Sequence, residues 1–135
     1  MFIDYENLFS NAQAVTVTAA STNVIDLGAN HAYIQTLFEK GMVGILAQVH
    51  TTFAGGTSVA IQLQTDSDEA FGTVETLYAT PAIATATLAA GYRFRLSGLP
   101  LGIKRYVRLN YVVVGTHTAG KITAGLVLDL QSNGV

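Results

Sequence analysis

A chain of 135 residues and 14.2 kDa fits one domain with a core of its own, because a chain of that size buries roughly two-thirds of its unfolded surface. The absence of cysteine excludes disulfides and thiolate metal sites, and no apolar stretch approaches a membrane span. Only 12% of the residues are charged, against roughly 25% in an average soluble domain. A surface on the order of 6,800 Å² by size scaling therefore carries few charges, and part of it is expected to be covered by other chains. The signs are also segregated. Residues 1–80 hold eight of the nine acids and one base, Lys40, a net of −7; residues 81–135 hold six of the seven bases and one acid, Asp129, a net of +5. The two halves are expected to pair, within one fold ahead of between copies.

Along the chain, MFIDYENLFSN carries acids where a secretory signal needs a basic region. It reads as a short arm of about residues 1–11, and Phe2, Ile3, Tyr5, Leu8 and Phe9 make it too apolar for a free tail. Such an arm either packs on a neighbouring chain or covers its own sandwich. Strands are expected near Ala14 to Thr18 and Asn23 to Leu27. In NHAYIQTLFEKG the apolar Tyr33, Ile34, Leu37 and Phe38 fall at helical spacing between a capping Asn30 and a terminating Gly41, which predicts one short helix near residues 31–40. Further strands are expected over Met42 to Phe53, Ser58 to Thr65, Val74 to Thr80 and Gly91 to Ser97. The Ala- and Thr-rich PAIATATLAAG, residues 81–91, has no clear period and reads as a turn before an irregular strand.

Two long alternating runs close the chain: Val107, Leu109, Tyr111 and Val113 on the dry face of one, and Ile122, Ala124, Leu126, Leu128 and Leu130 on that of the other. With Gly115 and Gly120 in the loop GTHTAG between them, they read as a hairpin. About eight strands with one dry and one wet face predict an all-β fold, an antiparallel two-sheet sandwich of jelly-roll type. No linker divides the chain, so residues 1–135 form a single domain.

Chemistry is sparse. His31, His50 and His117 form no HxH or HExxH arrangement, so metal-holding histidines are not expected; His50 reads as an outward strand residue, His31 and His117 as solvated turn residues. DSDEAFG, residues 66–72, groups Asp66, Asp68 and Glu69, yet Ala70 and Leu77 occupy positions where a calcium loop needs ligands. It reads as a strand-to-strand loop ahead of a weak cation site. No nucleophile elbow or phosphate-binding glycine loop occurs. No enzyme, no catalytic residue, no metal and no cofactor are expected. Arg93, Arg95, Arg105 and Arg108 with Lys104 make the one basic cluster, with Tyr92 and Tyr106 among them. A net charge of −2 and a pI near 5.8 argue against nucleic acid, and the arginines are expected to bind carboxylates of the acidic half or of a partner.

The stretches AQAVTVTAASTNVIDLGA (12–29), VAIQLQTDSDEAFGT (59–73), and RYVRLNYVVVGT with GKITAGLVLDLQ resemble the capsid cement, or decoration, proteins of tailed bacteriophages, of the type found on the short-tailed Bordetella phage. The resemblance runs over nearly the whole chain, with Asn30 to Gly41 departing from it. It implies a jelly roll made in the bacterial host cytoplasm that sits on the outer surface of the virion head and ties neighbouring major capsid proteins together. It further implies a homo-oligomer, for which dimer and trimer are both compatible with the sequence. Phe2, Ile3, Tyr5, Phe9, Arg93, Arg95, Arg105 and Arg108 are the candidate capsid or subunit contacts, and an unpaired edge strand is a further route of attachment. The alternative is a carbohydrate-binding jelly roll displayed on a virion, with Tyr33, Tyr78 or the DSDE loop at the sugar. Neither reading involves a membrane.

Overall fold

The computed structural model describes residues 8–28, 44–94 and 103–127. Among them ten strands follow in chain order: β1 (Leu8–Ala14), β2 (Ala19–Ala20), β3 (Ile25–Asp26), β4 (Gly44–Ala54), β5 (Ser58–Asp66), β6 (Glu75–Ala79), β7 (Ile83–Ala84), β8 (Arg93–Phe94), β9 (Tyr106–Val114) and β10 (Ala119–Val127). A 3-10 turn spans Thr85–Thr87. All pairings are antiparallel. One sheet runs β1-β10-β4-β8; in the other, β9 and β5 are central, with β2 and β3 along β9 and β6 and β7 along β5. β2 and β3 are one strand position interrupted at residues 21–24, and β6 and β7 another, interrupted where Pro81 has no N–H for the ladder. Counted that way there are eight strand positions in two interleaved sheets. This is the expected jelly-roll sandwich.

The period-2 pattern places the core. Val59, Ile61 and Leu63 of β5 and Val107, Leu109 and Tyr111 of β9 face Ile45, Ala47, Val49 and Phe53 of β4 and Ile122, Ala124 and Leu126 of β10. Each large apolar side chain removed from water there contributes about 1.5–3 kcal/mol. Tyr111, fully buried, also carries a hydroxyl into the core, and that hydroxyl lies 2.6 Å from Ser10 Oγ of the opposite sheet. Since Ser10 gives its own proton to Gln13 Oε1, the tyrosine is the donor. This relay ties β9 to β1 across the sandwich.

Three expectations are corrected. The closing runs are not a hairpin: β9 pairs with β2, β3 and β5, whereas β10 pairs with β1 and β4. Their connection is an arch that carries the chain from one sheet to the other, and β4 and β5 are joined by a second arch through Gly55–Thr57. Alternation fixes which face of a strand is dry, but a hairpin and an arch share that signature. The two arches lie side by side, with Thr57 N–H donating to Val114 O at 2.9 Å and Thr118 N–H to Ala54 O at 2.8 Å. Gly115 (φ +81°) and Gly120 (φ +144°) supply the left-handed backbone the turn requires.

His117 is the second correction. It is not solvated but 2% exposed, wedged against the edge of Phe53 at 5.0 Å between ring centroids and over Gly56, where a Cβ would come within 2.6 Å of the imidazole. The third concerns the start of the chain. The strand expected at Ala14 to Thr18 is β1, earlier by several residues, and the chain bends over Thr16 to Thr18. β1 carries two register shifts against β10 and a positive φ of 49° at Ala12, which break the alternation that marks a strand. Phe9 therefore lies inside the domain's own core, with 0% exposed, not on a neighbouring chain. The helix expected near residues 31–40, Arg95, and Phe2, Ile3 and Tyr5 of the arm lie outside the described residues.

Candidate interaction surface

The basic cluster of the sequence is divided by the fold. Arg93 stands on β8, opposite Gln48 at the edge of one sheet, while Lys104, Arg105 and Arg108 lead into or lie on β9 of the other. Two of those three are matched by acids of the N-terminal half. Arg105 grips Asp26 with both ends of its guanidinium, Nε to Oδ1 at 2.8 Å and a terminal nitrogen to Oδ2 at 3.1 Å. Lys104 Nζ lies 3.3 Å from Glu75 Oε2. The bond from Arg105, and the backbone N–H of Gly28, hold the Asp26 carboxyl below its usual range. The charge asymmetry of the sequence is thus met in part inside the fold.

Arg108 is held differently. Its guanidinium lies 4.2 Å from the centroid of the Phe71 ring, and its Nε donates to Gln64 Oε1 at 2.9 Å. Beside it Asn110 Nδ2 donates to Gln62 Oε1 at 3.1 Å. On the wet face of β5 and β9 the pairs Gln64–Arg108 and Gln62–Asn110 are direct cross-strand neighbours, so these side chains fix one another along the sheet. The result is a polar row of mutually fixed side chains, with Gln64 itself buried.

Phe71 reaches that face because the acidic turn is closed on itself. Asp66 Oδ1 accepts the N–H of Asp68 at 3.1 Å and Oδ2 that of Thr73 at 2.8 Å, while Phe71 N–H returns to Asp68 O at 3.0 Å. Burial pushes the Asp66 carboxyl up, but the N–H groups of Thr73, Asp68 and Ser67 and the charge of Lys104 outweigh it and hold it below the usual range. Asp68 Oδ1 accepts the Ala70 N–H at 3.1 Å. These carboxylates are spent on the backbone of their own turn, which is the loop reading of DSDEAFG. Among the described residues no group of three or more His, Asp or Glu is placed to hold a metal ion.

The remaining candidates do not converge. Tyr78 is half-buried against the core, and Tyr33 lies outside the described residues. His50 is exposed on the outer face of the other sheet, with Nδ1 3.0 Å from Thr51 Oγ1. It borders a hollow of about 250 Å³ lined also by Leu46, Gln48, Val49 and Thr123. Among the described residues, the outer strands of the two sheets are mostly short or irregular. β2, β3 and β7 are two residues long, and β1 and β6 carry register shifts. Such edges are poor templates for an added strand.

Sequence reasoning found Arg105 and Arg108 but missed Phe71, Gln62, Gln64 and Asn110. The three polar residues alternate on wet faces and could have been read as a row; nothing in DSDEAFG marks Phe71 as a platform. The family model Bbp16 matches residues 9–126. The chain belongs to the Bbp16 family. Its name is that of a Bordetella phage protein, and a phage protein is what this chain is consistent with. The Bbp16 match begins at Phe9 in β1 and ends at Leu126 in β10, so it takes in both sheets, the acidic turn and the polar face. No curated protein matches the chain.

Proposed function

We propose that this Bbp16-family chain is a structural virion protein, a cement protein on the outer surface of a phage head that bridges and stabilises neighbouring major capsid proteins. The observation that carries the reading is the face built by Gln62, Gln64, Arg108 and Asn110. It is locked by cross-strand hydrogen bonds, which suits contact with a broad shell surface better than enclosure of a small substrate. Membership of the family and the resemblance to cement proteins support the same reading. The role is structural rather than enzymatic, needs no cofactor, and has the major capsid protein and further copies of this chain as partners. Since the described outer strands β1, β2, β3, β6 and β7 are short or irregular, side chains rather than main-chain pairing make the contact.

Co-sedimentation of the purified chain with phage heads stripped of their outer protein, followed by heating, tests this. Saturable binding with a raised disruption temperature is the expected outcome; absence of binding to the cognate head would remove the cement role.

A further inference from the structure

We infer that Arg108 is the anchor of the shell contact and that its partner is a carboxylate of the major capsid protein. This rests on the cement reading and selects one residue from the basic cluster. Lys104 and Arg105 already face Glu75 and Asp26, and Arg93 stands on the opposite sheet. Arg108 is half-buried, yet among the described residues no carboxylate lies within ion-pair distance of it and its terminal nitrogens make no hydrogen bond. The Phe71 ring fixes the plane of the guanidinium and Gln64 fixes its rotation. An arginine normally loses side-chain freedom when it binds; here that ordering is already complete, and the fork of terminal N–H groups matches a carboxylate bidentately.

The same geometry explains the acidic turn. Asp66 closes the segment that carries Phe71, so the turn serves as the mount for the platform beneath Arg108. Around Arg108 on β5 and β9 stand the neutral Gln64, Gln62 and Asn110, so a partner that covered this face without an acid would enclose an unmatched charge, which is costly. The partner must bring the acid.

The test compares wild type, Arg108→Ala, Arg108→Lys and, as a control for loss of one charge on the other sheet, Lys121→Ala. Each is assayed by co-sedimentation with stripped heads, with its mass measured by sedimentation equilibrium and its fold by circular dichroism. Arg108→Ala is expected to weaken head binding about 10- to 100-fold at unchanged mass. Arg108→Lys, which keeps the charge but loses the fork, recovers only part of it, and Lys121→Ala stays within about threefold. If wild type binds saturably and Arg108→Ala binds as well, the anchor is wrong and the cement role stands. If wild type does not bind, both fall. A change of mass in Arg108→Ala without a change in head affinity would assign the contact to a second copy and overturn the inference.

Discussion

His117 has one ring nitrogen with a partner and one without. Thr85 Oγ1 gives its only proton to Gly56 O at 2.9 Å and lies 2.9 Å from His117 Nε2, so the ring must donate there and carries its proton on Nε2. Nδ1 is then a buried lone pair with no partner among the described residues. Phe53, Gly55, Gly56, Thr85, Thr16 and Thr118, which surround the ring, bring no charged or titratable group to it. A second proton would sit on an enclosed nitrogen with no acceptor. Burial accordingly pushes the His117 pKa below 6.5. A histidine whose folded pKa is depressed supports the fold while neutral, so its contribution is complete above about pH 6.5 and is lost as pH falls below that value, where the unfolded chain takes up a proton first. The urea midpoint of wild type is expected to drop between about pH 7.5 and about pH 5.5, and that of His117→Gln to change less over the same interval. Equal slopes would assign the dependence to another group.

At the level of elements, the 66–73 turn and the paired arches are held by different means. The arches bury His117 and interlock through main-chain bonds, whereas the turn depends on one carboxylate that accepts an N–H near each of its ends. Asp66→Asn keeps one acceptor and removes the charge, so the turn should open locally before the sandwich does. Cleavage after Phe71 by chymotrypsin is expected to quicken several-fold in this variant, with a smaller change in the global unfolding midpoint; unchanged cleavage would mean that Asp66 does not close the turn. Acid should reproduce the effect, since a carboxyl held below its usual range supports structure above about pH 4 and loses that support as it protonates. Strand existence was legible in the sequence because β5, β9 and β10 keep strict alternation. β1 was not, because a bulge at Ala12 interrupts the pattern.

For the molecule as a whole, the sequence exposed the dry face of each strand but not the sheet it joins, since pairing is a long-range property. The hairpin expected of β9 and β10 failed for that reason, and His117 was misread because GTHTAG is polar and flexible in composition while its location is set by the second arch. For the candidate surface, charge segregation pointed to Arg105 and Arg108; only the positions of Asp26 and Phe71 separate the arginine on a carboxylate from the one on an aromatic ring. The Tyr111–Ser10 relay joins the two sheets and so belongs to global stability. Tyr111→Phe leaves Ser10 its bond to Gln13 and fills the same space, and is expected to lower unfolding free energy by about 1 kcal/mol in urea titration; a loss several times larger would mean that the relay sets the packing of the sheets.

β1 pairs with β10, Ser10 standing opposite Ala124, and this adjacency governs when the protein can fold at all. At roughly 5–20 residues per second of synthesis, the first strand waits on the order of ten seconds before its partner is made. Throughout that interval Phe9 has no core to enter, and β4 lacks the neighbour on one side. Because contacts between distant parts of a chain also form slowly, the nascent protein is sticky for most of its time on the ribosome and becomes a closed sandwich only as its final strand emerges. Its yield would then depend on how well unfinished chains are shielded until that strand appears.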